Sequence, residues 1–380
     1  MTATSAPTKQ QVLDGLGMIS GPDGSPLPKT GTLSDIVVSD GKVFFSITVD
    51  AAAVKAWEPV RKKVEDTVRA MPGVVSVMVA LTAERAGGGK PAAPAAGHHH
   101  GPGSTHAHGG GPSGVPGVKA IIAVASGKGG VGKSTTAINL ALGLRDLGLK
   151  VGVLDADIYG PSLPKLLAIK ERPETLGGTR LKPISRLGLT VMSIGFLIEE
   201  ETPMIWRGPM VMSAITQMLR EVEWGNLDVM VVDMPPGTGD AQLTMAQQVP
   251  LAGAVIVSTP QDLALIDARR GIAMFNRVNV PVLGIVENMS FFLCPHCGER
   301  TDIFGHGGAR LEAERLKVPF LGEVPLDMAI RETSDSGSPV VATQPDGPHA
   351  KIYREIAGKV RDQLQGGGHS RAAPKIVIEA

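Results

Sequence analysis

Ser126-Gly127-Lys128-Gly129-Gly130-Val131-Gly132-Lys133-Ser134-Thr135 stands between an apolar run, Ala120 to Ala125, and a segment carrying Ile138, Leu140, Leu142 and Leu144. The order predicts a strand, a glycine-rich loop and a helix. From Gly127 through Gly132-Lys133-Ser134 the spacing fits G-x-x-x-x-G-K-[ST], a phosphate-binding loop. Glycines let backbone N–H groups curl round an anion without Cβ clashes. The following helix start adds unsatisfied N–H groups and a positive dipole end. Lys133 is predicted to reach the β- and γ-phosphates, and the Ser134 hydroxyl to ligate Mg²⁺. The bland alternative, a glycine turn before an ordinary helix, is disfavoured because both flanks have the required strand and helix pattern.

The chain has 380 residues, room for two domains or one large one. Its 43% hydrophobic content supplies a core, and with only 3% aromatic residues that core must be mostly Val, Leu, Ile and Ala. The 37 basic and 37 acidic residues cancel, which argues against a general nucleic-acid or membrane-surface binder. No apolar run approaches the ~18–20 residues of a membrane span. Met1-Thr2-Ala3-Thr4-Ser5 lacks a signal-peptide pattern, so the expected location is cytoplasmic. Two cysteines cannot make a disulfide framework; a close pair in such a chain suggests metal or redox chemistry.

Residues 9–85 read as a small α/β domain. Gln10 to Leu16 is a short helix, Ile36-Val37-Val38 and Val43 to Thr48 are strands, and Asp40-Gly41 between them is a hairpin turn. Trp57, Val60, Val64, Val68 and Met71 recur at helical spacing and read as core; Val74 to Leu81 is a third strand. Residues 86–116 are rich in Gly, Pro and Ala and read as a flexible linker. His98, His99, His100, His106 and His108 in it allow a loose metal-binding tract, but fix no ligand geometry, and a solvated linker is the favoured reading. Residues 117–365 alternate strand and helix. The strands are Ile121 to Ala125, Val151 to Leu154, Thr190 to Ile194, Val229 to Val232, Ala254 to Val257, Val282 to Val286 and Pro319 to Val324. Most are continuous apolar runs, as in strands covered on both faces. The expected fold is α/β, a doubly wound and mainly parallel sheet, with its ligand at the carboxyl ends of the strands. Residues 366–380 read as a flexible tail without a basic amphipathic anchor.

Two strands run into carboxylates. Val151 to Leu154 leads to Asp155-Ala156-Asp157-Ile158-Tyr159-Gly160-Pro161-Ser162, suited to Mg²⁺ or an attacking water. Val229 to Val232 ends in Asp233, then Met234-Pro235-Pro236-Gly237-Thr238-Gly239-Asp240, a loop able to sense a γ-phosphate through backbone N–H groups. Cys294-Pro295-His296-Cys297 follows Asn288-Met289-Ser290-Phe291-Phe292-Leu293. The turn lets two thiolates grip one metal centre, and on its own it fits a zinc knuckle, a redox pair or a cluster ligand. Two ligands complete neither a Cys₄ zinc site nor a cubane. Two-fold pairing of subunits would supply four thiolates and one bridging site. Arg207, in Trp206-Arg207-Gly208-Pro209, suits a phosphate contact, an interface contact or a surface ion pair.

Gly127 to Thr135, with its early Lys128, resembles the deviant Walker A loop of MinD-like and nitrogenase-iron-protein-like ATPases. The resemblance implies an ATP-sandwiched homodimer in which Lys128 reaches the partner's phosphates, Asp157 orients water, Asp233 contacts Mg²⁺ through water and Asn288 reads adenine. An amide can donate and accept at once, as an adenine edge requires; Asn288 also reads as a strand-end turn residue. With the cysteine pair, and with Trp206 to Pro209 and Gly322-Glu323-Val324-Pro325-Leu326-Asp327, the chain resembles the Mrp/ApbC family of iron–sulfur cluster carriers. Residues 9–85 resemble the small domain that often precedes that ATPase and recurs in cluster-assembly factors. The implied catalytic residues are Lys128, Lys133 and Asp157. The implied nucleotide contacts are Gly127, Lys128, Gly129, Gly130, Val131, Gly132, Lys133, Ser134, Thr135, Asp233 and Asn288. Ser134 would hold Mg²⁺, and Cys294 and Cys297 the cluster.

The expectation is therefore a homodimeric ATPase, with ATP and Mg²⁺, that passes a 4Fe–4S cluster to apo-proteins. Its expected partners include cluster scaffolds but neither nucleic acid nor membrane. The rivals are a MinD/ParA-like spatial-positioning ATPase and a zinc-stapled nucleotide-binding assembly protein. Deleting residues 97–108 is expected to leave iron binding and ATP hydrolysis at wild-type levels; a large loss of either, measured on the purified deletion variant, would make the histidine tract a ligand.

Overall fold

In the computed structural model residues 7–34, 36–39, 41–50, 53–74, 76–84, 114–176, 180–198 and 208–366 are described. The five linker histidines, Asp40 of the hairpin turn, Trp206, Arg207 and the tail beyond Gly366 lie outside them.

The N-terminal unit is built from α1 (Lys9–Leu16), β1 (Val37–Ser39), β2 (Lys42–Asp50), α2 (Val54–Arg69) and β3 (Ser76–Glu84). Thr8 caps α1 reciprocally with Gln11, so two orphan N–H groups at its N-terminus are satisfied. β1 and β2 form an antiparallel hairpin in which Ser39 faces Lys42, and β3 runs parallel to β2 after the α2 crossover. Val43, Phe45, Ile47 and Val49 alternate along β2 into one core with Trp57, Val64, Val68 and Val79. The Trp57 row is thus core. Glu65 is buried on α2 and takes ion pairs from Arg61 at 2.8 Å and Arg69 at 2.6 Å, one helical turn to either side.

The second unit starts with β4 (Val118–Ala125), α3 (Lys133–Asp146), β5 (Val151–Asp155), α4 (Leu163–Leu166), β6 (Ile184–Arg186) and β7 (Leu189–Ser193). After α5 (Gly208–Arg220) come β8 (Leu227–Asp233), α6 (Asp240–Gln248), β9 (Gly253–Ser258), α7 (Asp262–Arg277) and β10 (Val282–Asn288). Then follow β11 (Phe292–Leu293), β12 (Arg300–Thr301), α8 (Gly308–Leu316), β13 (Phe320–Val324), α9 (Met328–Asp335), α10 (Val340–Thr343) and α11 (Pro348–Gly366).

Eight of these strands form one sheet, ordered β13-β10-β9-β4-β8-β5-β7-β6, parallel throughout except where β6 meets β7. β5 and β9 are buried along their whole length, which is why the sequence shows them as unbroken apolar runs. From β4 the chain moves to β5 through α3 in one direction; from β9 it moves to β10 through α7 in the other. Right-handed crossovers therefore put α3 and α7 on opposite faces, with the turn after β4 at the switch point. β6 is the one strand of this sheet that the sequence reading did not contain: three residues, mostly exposed, paired antiparallel at the rim. At the opposite rim, Lys359 Nζ of α11 donates to the Leu321 carbonyl of β13 at 2.7 Å.

α3 is fastened from behind. Asn139, buried on it, donates to Thr135 O at 2.9 Å and accepts from Val341 N of α10 at 3.2 Å. Tyr353 of α11 is wholly buried, and burial pushes its phenol well above the usual value while Thr136 opposes the shift. Among the described residues no helix is long and apolar enough to cross a membrane. Asn139→Ala leaves a buried N–H and a carbonyl short of a partner and is expected to lower stability by about 1–3 kcal/mol in denaturant unfolding of the full chain.

Candidate functional site

The loop from Ser126 to Gly132 joins β4 to α3 at the carboxyl edge of the sheet. Gly132 caps α3 in the left-handed region, φ +78°, and no side chain caps the helix, so its first N–H groups stay free for an anion. A Cβ on Gly132 would sit 2.2 Å from Asn288 Nδ2. One on Gly127 would sit 2.2 Å from the Asp267 carbonyl of α7. The two glycines are thus demanded by packing as well as by phosphate access. Ser126 Oγ donates to Lys128 O at 2.8 Å and shapes the loop's first turn. The half-buried Lys128 makes no ion pair with a described residue.

Lys133 is buried. Its Nζ lies 2.6 Å from Asp233 Oδ1 at the end of β8 and 3.1 Å from Ser134 Oγ. The other carboxylate oxygen, Asp233 Oδ2, is buried without a hydrogen-bond partner among the described residues. An orphaned anionic oxygen beside a serine hydroxyl fits the second and first shells of a Mg²⁺ ion. The loop that follows is tied to the phosphate loop, for Gly237 N donates to Ser126 O at 3.0 Å. Gln242 of α6, buried, donates through Nε2 to Pro235 O and steadies it from the other side.

The two carboxylates after β5 separate in role. Asp155 is fully buried and accepts from Asp157 N at 3.2 Å, Ser162 N at 2.9 Å, Leu163 N at 3.1 Å and Ser193 Oγ at 3.0 Å. Burial first and the Asp233 charge second push its carboxyl up to about 7, against the Leu163 N–H, Lys133 and Ser193. Asp155 is therefore the post round which the 155–163 loop is wound, not a free ligand. Asp157 is half-buried; burial raises it, Lys133 opposes, and Asp233 adds to the rise. It is the carboxylate left facing the site.

Asn288, at the end of β10, is buried and donates from Nδ2 to Val131 O at 2.8 Å, while its Oδ1 has no partner among the described residues. Next to it Glu287, wholly buried, takes Ser290 Oγ at 2.6 Å and Ala309 N at 2.6 Å. Glu287, Ser290 and Gln242 belong to the site without standing in any of its sequence motifs. A glutamate closing an apolar strand was the available signal for the first; the other two act through partners that only the fold supplies.

The cysteines sit on a hairpin. β11 pairs with β12 antiparallel, Cys294 N donates to Glu299 O at 2.9 Å, and Gly298 N donates to Cys294 O at 2.8 Å. Cys294 is half-buried and Cys297 exposed. The Cys297 N–H, then the His296 N–H, then the Cys297 side chain hold the Cys294 thiol below its ordinary value, favouring the thiolate that binds metal. Among the described residues no group of three or more His, Cys, Asp and Glu side chains is placed to hold a metal ion, so the hairpin offers two ligands.

A parallel sheet whose switch-point strand runs through Gly127–Ser134 into a helix, with the loop lysine on a buried strand-end aspartate, is the architecture of a P-loop NTPase. The family model described as NUBPL iron-transfer P-loop NTPase matches residues 117–361, and the chain belongs to that family. A second model, described as iron-sulfur cluster assembly protein, matches residues 9–79. The chain is 56% identical over 253 residues to the iron-sulfur cluster transfer protein NUBPL of Dictyostelium discoideum, covering 66% of this chain and 78% of that one. It is 56% identical over 252 residues to the iron-sulfur cluster carrier protein of Salmonella typhimurium, covering 66% and 68%. A nucleotide-binding protein from Archaeoglobus fulgidus, solved in complex with ADP, superposes with a TM-score of 0.53 at 43% identity, covering 59% of this chain and 88% of that one.

Lys133→Ala is expected to cut ATP turnover by about 10²-fold or more, because it removes the buried ammonium of the phosphate loop. Gly132→Ala, strained and in collision with Asn288, is expected to weaken ADP binding in calorimetric titration while β4 and α3 stay folded by circular dichroism.

Proposed function

We propose that this chain is an ATP-hydrolysing carrier that holds a 4Fe–4S cluster between two copies of itself and hands it to apo-proteins. The observation that carries the reading is the two-thiol hairpin, half of a cubane's ligand set, in the same unit as a complete phosphate loop. The names of its relatives support the cargo, and the ADP in the Archaeoglobus structure supports the nucleotide. On this reading residues 117–365 are the carrier ATPase, residues 9–85 a separate domain, and residues 86–116 and 366–380 connecting and terminal segments; the protein works in the cytoplasm.

The steps follow from the residues. Lys133 leaves Asp233 for the β- and γ-phosphates, and the N–H groups of residues 127–135 surround the same oxygens. Ser134 Oγ and Asp233 would hold a Mg²⁺ ion, which would supply positive charge against those phosphates. Asp157 orients the attacking water. Lys128, without an ion pair among the described residues, reaches the partner's phosphates. Asn288 keeps Val131 with Nδ2 and offers Oδ1 to the adenine amino group. Pairing the subunits brings Cys294 and Cys297 together with the partner copy's equivalent pair.

The test is anaerobic reconstitution with iron and sulfide. Wild-type protein is expected to turn brown, absorb broadly near ~400 nm and retain about four irons per dimer. Cys294→Ala is expected to retain none while binding ADP as before. A protein that stays monomeric in every nucleotide and retains no iron would sink the carrier reading, and retention of zinc in place of iron would favour a stapled assembly protein.

A further inference from the structure

We propose that Glu287 and Ser290 are positioning residues that carry nucleotide occupancy from the phosphate loop to the cysteine hairpin, an inference that rests on the carrier reading above. The geometry starts at Val131, whose carbonyl holds Asn288 Nδ2 at 2.8 Å; with Gly132 bare of a Cβ, the amide lies directly on the loop. A rearrangement of Val131 and Gly132 round a phosphate acts directly on Asn288. From Asn288 to Cys294 is six residues, at most about 20 Å of extended chain.

What happens within those six residues decides whether a displacement reaches the thiols. Met289 turns in the left-handed region, φ +54°, an unusual conformation for a side chain with a Cβ and the natural place for the backbone to give. The latch closes round that residue. Glu287, just before Asn288, takes the Ser290 hydroxyl at 2.6 Å, bridging the turn, and its second oxygen takes Ala309 N of α8 at 2.6 Å. A fully buried carboxylate with one partner on each oxygen is a stiff joint, since loosening either leaves a buried charge short of a donor. Beyond the turn the chain stays braced. Ser290 N donates to Val324 O at 2.9 Å, Leu326 N to Phe291 O at 2.7 Å, and the Arg300 guanidinium stacks on the Phe291 ring at 4.2 Å. Arg300 lies on β12, so both strands of the hairpin are tied to the same rod. With the latch shut, motion of Asn288 passes to Cys294; with it open, the Met289 turn absorbs the motion.

The experiment follows thiol alkylation in the full-length, reduced, metal-free protein. Iodoacetamide labelling of Cys294 and Cys297 is read by mass spectrometry without nucleotide, with Mg-ADP and with a non-hydrolysable Mg-ATP analogue. Wild-type rates are expected to differ by about fivefold or more between nucleotide-free and nucleotide-bound protein. In Ser290→Ala that ratio is expected to fall to about one while ADP affinity stays within about twofold of wild type. Glu287→Gln, which keeps the volume, reads the same quantity and guards against a folding defect in the first variant. A residue that served stability alone would lower the melting temperature and leave the ratio untouched. The relay is overturned if the wild-type ratio is one, or if both folded variants keep the wild-type ratio. Those outcomes leave the carrier reading standing whenever reconstitution yields a cluster, and a cluster-free protein whose ratio collapses in Ser290→Ala keeps the relay and rejects the carrier.

Discussion

The buried contact between Lys133 and Asp233 organises the second unit. A lysine ammonium and an aspartate carboxylate at 2.6 Å, both removed from water, are stable only as a pair, because either alone would be an uncompensated charge in the interior. The pair therefore requires that the end of β8 and the start of α3 be held close, which the pairing of β4 with β8, Val124 beside Asp233, supplies. It also defines what can enter. A ligand that draws Lys133 away must bring negative charge to the lysine and positive charge to the aspartate, and a nucleotide phosphate accompanied by a divalent cation does both. The second oxygen of Asp233 is the part of the arrangement that the described residues leave incomplete.

Around that pair, the elements sort into a rigid frame and adjustable loops. Asp155 takes four donors, three of them on Oδ2, and so builds the loop on which Asp157 is displayed. Asn139 anchors the helix that bears Lys133 to α10. The loop after Asp233 is held to β4 and the phosphate loop by Met234 N on Val124 O and Gly237 N on Ser126 O, and to α6 by Gln242. The proposed relay from Asn288 to the cysteines belongs to the rigid class.

The sheet was legible in the sequence because its strands are buried on both faces and so appear as unbroken apolar runs between glycine-rich turns. The phosphate loop was legible because its chemistry imposes a fixed spacing on one continuous stretch. β6 was not, since three rim residues bury too little to leave a pattern. The division of labour between Asp155 and Asp157 was equally hidden: two like residues two positions apart differ only in what surrounds them, and Ser193 comes from a distant strand. Glu287, Ser290 and Gln242 escaped notice for the same reason, as each acts on a partner whose nearness is a property of the fold. The cysteine pair was plain, yet spacing alone left zinc, redox and cluster chemistry open, and the family match narrows it.

The two rims of the eight-stranded sheet bear on whether one molecule can add to another along its strands. An open strand edge invites a neighbouring molecule to add on, and repeated addition ends in fibres or precipitate. Here one border is a reversed stub too short to template growth, and at the other a lysine ammonium occupies a main-chain oxygen of the last strand. Edge-to-edge accretion is thereby discouraged at both ends, leaving self-association to other faces of the molecule.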